Sequence, residues 1–170
     1  QVPLSLGGAG FCVPANIVCG ARQASWDLPL AHLRISARMA KDRFVIEAVS
    51  SRPGKITWPV LPCPESLAGI MLPLGEGFYM PVRESIWQDF ALGHSPISTM
   101  ETLSMPLWGM DYGRRSLTYV LLNPFDNELA FERQRPGIGL RLTHAFQGNY
   151  AEMRHVVMVE PGGSSPIEPA

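Results

Sequence analysis

The chain reads as an all-β domain, a two-sheet antiparallel β-sandwich carrying one short helix. Three observations lead there. Pro and Gly number 16 each and recur along the whole chain rather than in one tract. Helix interiors tolerate neither residue well, so regular breakers between short apolar runs mark strands and turns. Several of those runs alternate apolar and polar residues, the period of a strand with one face on a core. Only one segment combines helical spacing with a stop signal.

Taken in order, Leu33, Ile35, Ala37 and Met39 alternate with His32, Arg34, Ser36 and Arg38. Phe44, Ile46 and Ala48 follow a tight turn at Ala40-Lys41-Asp42-Arg43, so the two runs predict a hairpin. Residues 66–74, 116–122 and 155–159 are more continuously apolar and predict strands buried on both faces. Gly75 and Gly77 predict the turn after the first of these. The helix is predicted over 84–92, where Ile86, Trp87 and Phe90 share a face and Gly93 stops it. Asn123-Pro124-Phe125-Asp126-Asn127 has turn chemistry, and it predicts a second hairpin joining 117–122 to 129–132. Ile138, Leu140 and Leu142 alternate with Gly139, Arg141 and Thr143 as a further strand. After Glu160 the chain runs Pro161-Gly162-Gly163-Ser164-Ser165-Pro166, with little to bury. The reading is one domain over 1–160 and a linker over 161–170, leading toward a further domain.

At 170 residues, 46% hydrophobic and 17% charged, the chain can bury a sizeable core. Its formal net charge is −1, with Lys and Arg scattered singly, so neither nucleic acid nor a membrane surface is an expected partner. No apolar run approaches the roughly 18 residues of a membrane span. The chain starts at Gln1 rather than Met, which suggests a processed or excised piece. Cys12, Cys19 and Cys63 form an odd set without a C-x-x-C pair, and they read as unremarkable thiols; a Cys12–Cys19 bridge has nothing to support it.

Motifs for chemistry are sparse. His32, His94, His144 and His155 never stand one, three or four residues apart, so no local metal-ligand pair exists, and no metal or cofactor is expected. There is no Gly-x-Ser-x-Gly elbow, and Gly75-x-Gly77 lacks the third glycine of a phosphate loop. Carboxylates are plentiful, but Asp126 suits a turn, and Glu128 and Glu132 suit solvent-facing strand positions. No catalytic residue is assigned. The candidates for contact with a carbohydrate or a neighbouring domain are Glu76, Trp108, Asp111 and Tyr112. Trp and Tyr can stack on sugar rings, or equally fill cores and interfaces, while acids bind hydroxyls.

The run Gly69-Ile70-Met71-Leu72-Pro73-Leu74-Gly75-Glu76-Gly77-Phe78-Tyr79-Met80-Pro81 resembles the "LP-x-G-x-G-x-x-x-P" stretch of certain multidomain glycoside hydrolases. These are similar to the endo-α-N-acetylgalactosaminidases and their relatives, and the stretch belongs to their N-terminal β-sandwich. Ser104-Met105-Pro106-Leu107-Trp108-Gly109-Met110 is similar to the family's "S-M-P-x-x-G" strand and loop. Tyr119-Val120-Leu121-Leu122-Asn123-Pro124-Phe125-Asp126-Asn127 resembles its strand followed by "x-P-x-D". Trp58-Pro59 lies upstream in agreement, and the resemblance covers about residues 30–160; residues 1–25 match no motif.

The resemblance implies a galactose-mutarotase-like supersandwich ahead of a (β/α)8 catalytic barrel, with the catalytic carboxylates on the barrel, beyond Ala170. Mutarotase activity does not come with the fold. Mutarotases use a His and a Glu as acid and base, and no motif here matches that pair. The expected role is therefore a non-catalytic domain that braces a downstream catalytic domain of the same polypeptide, its main partner. Residues 105–113 are expected to lend a loop to the rim of the substrate cleft. An autonomous carbohydrate-binding module is the alternative, with a carbohydrate as partner. A small sugar epimerase is the third reading, and it needs a cleft where a His and a carboxylate converge.

Overall fold

The computed structural model of the chain describes residues 13–147 and 153–163. Their strands are β1 (Ala15–Cys19), β2 (Gln23–Leu28), β3 (Leu33–Ala40), β4 (Arg43–Ser50), β5 (Gly54–Leu61), β6 (Gly69–Leu72) and β7 (Phe78–Pro81). The helix α1 (Ser85–Gly93) follows. Then come β8 (Ile97–Ser98), β9 (Leu107–Asp111), β10 (Ser116–Leu121), β11 (Asn127–Arg133), β12 (Ile138–Phe146) and β13 (Arg154–Gly162). Two sheets result: a nine-stranded one in the order β1-β2-β3-β4-β13-β10-β9-β6-β7, and a four-stranded one in the order β5-β12-β11-β8. The pairings are antiparallel, and the predicted all-β two-sheet sandwich with one short helix is the fold observed.

Alternation built these strands, except that Met39 and Phe44, expected on the core face, are 43% and 38% exposed and Val45 is buried instead. Leu33, Ile35 and Ala37 of β3 are buried while Arg34 and Arg38 face solvent, and β4 returns through the Ala40↔Arg43 pair. Ile138, Leu140 and Leu142 of β12 turn into the core with at most 1% exposure, opposite Phe131 and Leu129 of β11. The larger core lies between β12 and β11 on one side and β6, β7, β9 and β10 on the other, around Ile70, Met80, Met110 and Leu129. A smaller one joins Leu28, Leu33, Ile35 and Ala48 to Ile56 and Phe146. Helix α1 stands where its spacing placed it, with Trp87 and Phe90 against Phe78 of β7 at ring-centroid distances of 5.2 and 5.0 Å.

Two expectations need correction. The second hairpin does not form: β10 pairs with β9 and β13 in the wide sheet, whereas β11 pairs with β12 and β8 in the narrow one. Residues 122–126 are a corner that carries the chain across the sandwich. Tyr119 and Leu121 before the corner, and Leu129 and Phe131 after it, therefore approach the interior from opposite layers. Residues 105–113 are not mainly a loop either. Leu107–Asp111 is β9, held between β10 and β6, because Trp108 and Met110 alternate into the core at 0% exposure. At its far end β13 runs through Pro161 and Gly162, which pair with Leu117 and Ser116. Cys12 and most of the expected linker lie outside the described residues.

Candidate functional site

The four sequence candidates do not converge. Trp108 is fully buried and stacks flat on Tyr119, 5.0 Å between centroids and 2° between planes, so it is a core residue and cannot meet a sugar. The sequence made it a candidate for sugar or interface contact, with the core as the equal alternative. Gly109 occupies the sheet face opposite the core, across from Thr118 and Met71. Tyr112 is half-buried against the larger core, and that burial raises its phenol pKa. Glu76 is exposed in the turn after β6, at the opposite end of that strand from Gly69, which Asp111 faces.

Asp111 is committed to structure. Its Oδ2 accepts the Tyr79 hydroxyl at 2.7 Å and its Oδ1 accepts the Gly113 N–H at 2.7 Å. Tyr79 reaches it across β6, and the path is open only because Gly69 has no side chain: a Cβ there would collide with the Tyr79 ring. Burial, then the hydrogen bond to Asp111, pushes the Tyr79 pKa up to about 12.

The polar constellation that sequence reasoning missed surrounds the corner at 122–126. Asn127, 2% exposed, organises it. Its Nδ2 donates to the carbonyls of Asn123 at 2.8 Å and Phe125 at 2.9 Å. Its Oδ1 is left to accept Nδ1–H of His144, at 2.5 Å. Asp126 takes a left-handed backbone with φ 59°, a conformation Asp tolerates better than most residues. Phe125 is thereby presented at the tip, 44% exposed.

Behind the corner two histidines far apart in sequence meet. His144 and His155 are 1% and 4% exposed, with ring centroids 4.7 Å apart. Burial first, then the neighbouring His155, lowers the His144 pKa to about 3. Burial likewise lowers that of His155. In the neutral ring His155 Nε2–H donates to the Ala145 carbonyl at 3.0 Å, which makes Nδ1 an acceptor, and that atom is buried without a partner. Nothing in the local spacing could have announced this pair, since register alone joins it.

Two hollows flank the corner. The inner one, about 210 Å³, opens at the edge between the sheets and is lined by His155, Asp126, Asn123 and Phe125 among others. The outer one, about 350 Å³, lies on the open face of the narrow sheet and is lined by Lys55, Ser98, Glu101, Glu128 and Thr143. Phe125, Asp126, Ala145 and Gln147 belong to both. A hydrogen bond from Gln147 Nε2 to Asp126 Oδ1, 2.7 Å, ties the shared rim. Among the described residues no group of three His, Cys, Asp or Glu side chains could hold a metal ion, and no helix is long and apolar enough to cross a membrane.

No family model matches the sequence, and no curated protein does either. Solved structures are similar in fold. The α-N-acetylgalactosaminidase NagBb of Bifidobacterium bifidum in its complex with GalNAc superposes with a TM-score of 0.60 at 10% identity, over 90% of this chain and 28% of that one. The ligand-free form gives 0.57 at 9% identity, over 88% and 27%. The complex with Gal-NHAc-DNJ also gives 0.57, at 10% identity, over 88% and 28%. The chain thus spans little more than a quarter of the length of these neighbours, and at such identity the likeness is one of fold. The chain has the fold of one part of a glycoside hydrolase.

Proposed function

We infer that the chain is a non-catalytic β-sandwich domain of a glycoside hydrolase, which braces a catalytic domain of the same polypeptide and helps shape its carbohydrate cleft. The observation that carries this reading is the fit of nearly the whole sandwich to about a quarter of an α-N-acetylgalactosaminidase chain. The three sequence markers support it in another way. Gly69–Pro81 forms β6, its turn and β7; residues 104–110 lead into β9; residues 119–127 end β10 and make the corner. They occupy neighbouring strands of one half of the wide sheet, and Ser104 ties the first two together through its hydroxyl to the Gly75 carbonyl at 3.0 Å.

The inner hollow does bring an imidazole and a carboxylate to one place, the feature an epimerase would need. A general acid must carry its proton at the working pH. Burial lowers the pKa of His155, and its Nε2 is engaged with the Ala145 carbonyl, which weighs against a general acid at this place. The test is to assay the isolated chain for hydrolysis of nitrophenyl α-N-acetylgalactosaminide and for mutarotation of galactose. Neither rate should exceed that of buffer. Turnover lost on His155→Ala or Asp126→Asn would replace this reading with the enzymatic one.

A further inference from the structure

We propose that the Phe125 corner is a carbohydrate-binding site, whose two hollows take neighbouring rings of a neutral, hydroxyl-rich glycan against the exposed face of Phe125. The proposal rests on the accessory-domain reading for its biological sense, but its chemistry stands on the corner alone.

Phe125 is 44% exposed at the tip of the corner, and Leu122 at its start is 59% exposed. An aromatic ring presented at the tip of a turn, with hydrogen-bonding side chains on both sides, matches a ring that has one apolar face and an equatorial belt of hydroxyls. The corner is rigid, because Asn127 bonds to both Asn123 and Phe125 from beneath it. The backbone that carries the ring is therefore ordered before a ligand arrives, which lowers the cost of binding.

The polar groups select the ligand class. Glu101, Asp126 and Glu128 line the outer hollow against one cation, Lys55. None of the three carboxylates forms an ion pair among the described residues. Such a surface repels anions and offers acceptors to hydroxyl protons. His155 lines the inner hollow at 4% exposure. At about 210 Å³ this hollow is smaller than a drug-sized pocket and suits a single ring. The outer hollow, reached across the Asp126–Gln147 bridge, suits the next.

The experiment is a ¹H–¹⁵N NMR titration of the 170-residue chain with galactose, lactose and glucuronic acid. The expected result is that galactose and lactose move the amide signals of Phe125, Asp126, Asn127 and Gln147, with millimolar dissociation constants and lactose the tighter. Phe125→Ala should weaken binding roughly tenfold while the rest of the spectrum stays in place, since the ring is exposed. Glucuronate should move none of these signals. The proposal is overturned if neither neutral sugar shifts the corner, if binding survives intact in Phe125→Ala and Asp126→Asn, or if glucuronate binds equally well. Failure here would leave the bracing role standing, because that role is read from the behaviour of the longer polypeptide rather than from sugar affinity.

Discussion

At the scale of single residues, the corner depends on Asn127. One buried amide satisfies two carbonyls and the proton of His144. Replacing it with Ala would strand all three groups, at about 1–3 kcal/mol for a buried group left unpaired. We expect Asn127→Ala to lose about 2–4 kcal/mol in urea unfolding, a large share of a small domain's stability. The paired imidazoles add a pH dependence. Burial lowers the pKa of both in the fold, so on acidification the unfolded chain takes up protons first. The stabilisation is complete above pH 6.5 and is lost as pH falls toward about 3, the folded value for His144. Between pH 6.5 and 5, before most carboxylates titrate, stability should therefore decline with falling pH. His144→Gln should flatten that slope; an unchanged slope would mean the imidazoles do not control it.

At the scale of elements, β7, β6 and β9 are stitched by a side chain as well as by backbone. Tyr79 crosses over Gly69 to reach Asp111, which anchors an edge strand that pairs on one side only. Tyr79→Phe should cost about 1 kcal/mol, the usual worth of one hydrogen bond. Gly69→Ala should cost more, by driving the ring off its seat. Combined, the two should cost less than their sum, because each removes the same contact, and thermal unfolding of the double variant reads this directly. The hairpin of β3 and β4, the strand β12 and the helix α1 were legible in the sequence because local period and turn chemistry decide them. The corner was read as a hairpin because both need the same residues, and only pairing partners far along the chain distinguish them. The loop expected at 105–113 is largely β9 instead, because Trp108 and Met110 alternate into the core, a pattern that only pairing with β10 and β6 makes decisive. The meeting of His144 with His155 lies beyond any local pattern, since it depends on the register of β12 and β13 in different sheets.

At the scale of the whole molecule, a sheet of nine strands faces one of four. The wide sheet outruns its cover at the β1 end, where every residue of β1 after Ala15 is exposed. Its other half holds the larger core, and the open face of the narrow sheet carries the polar hollow. A layered body of this kind, with structural work assigned to Asp111 and Tyr79, accords with the supporting role proposed above. Deleting residues 13–163 from the polypeptide that contains them, then measuring its melting temperature and glycosidase activity, is the most direct check on that role. A brace predicts a clear drop in both, partly restored when the separately made sandwich is added back. A polypeptide that melts and turns over as before would show that nothing leans on this domain.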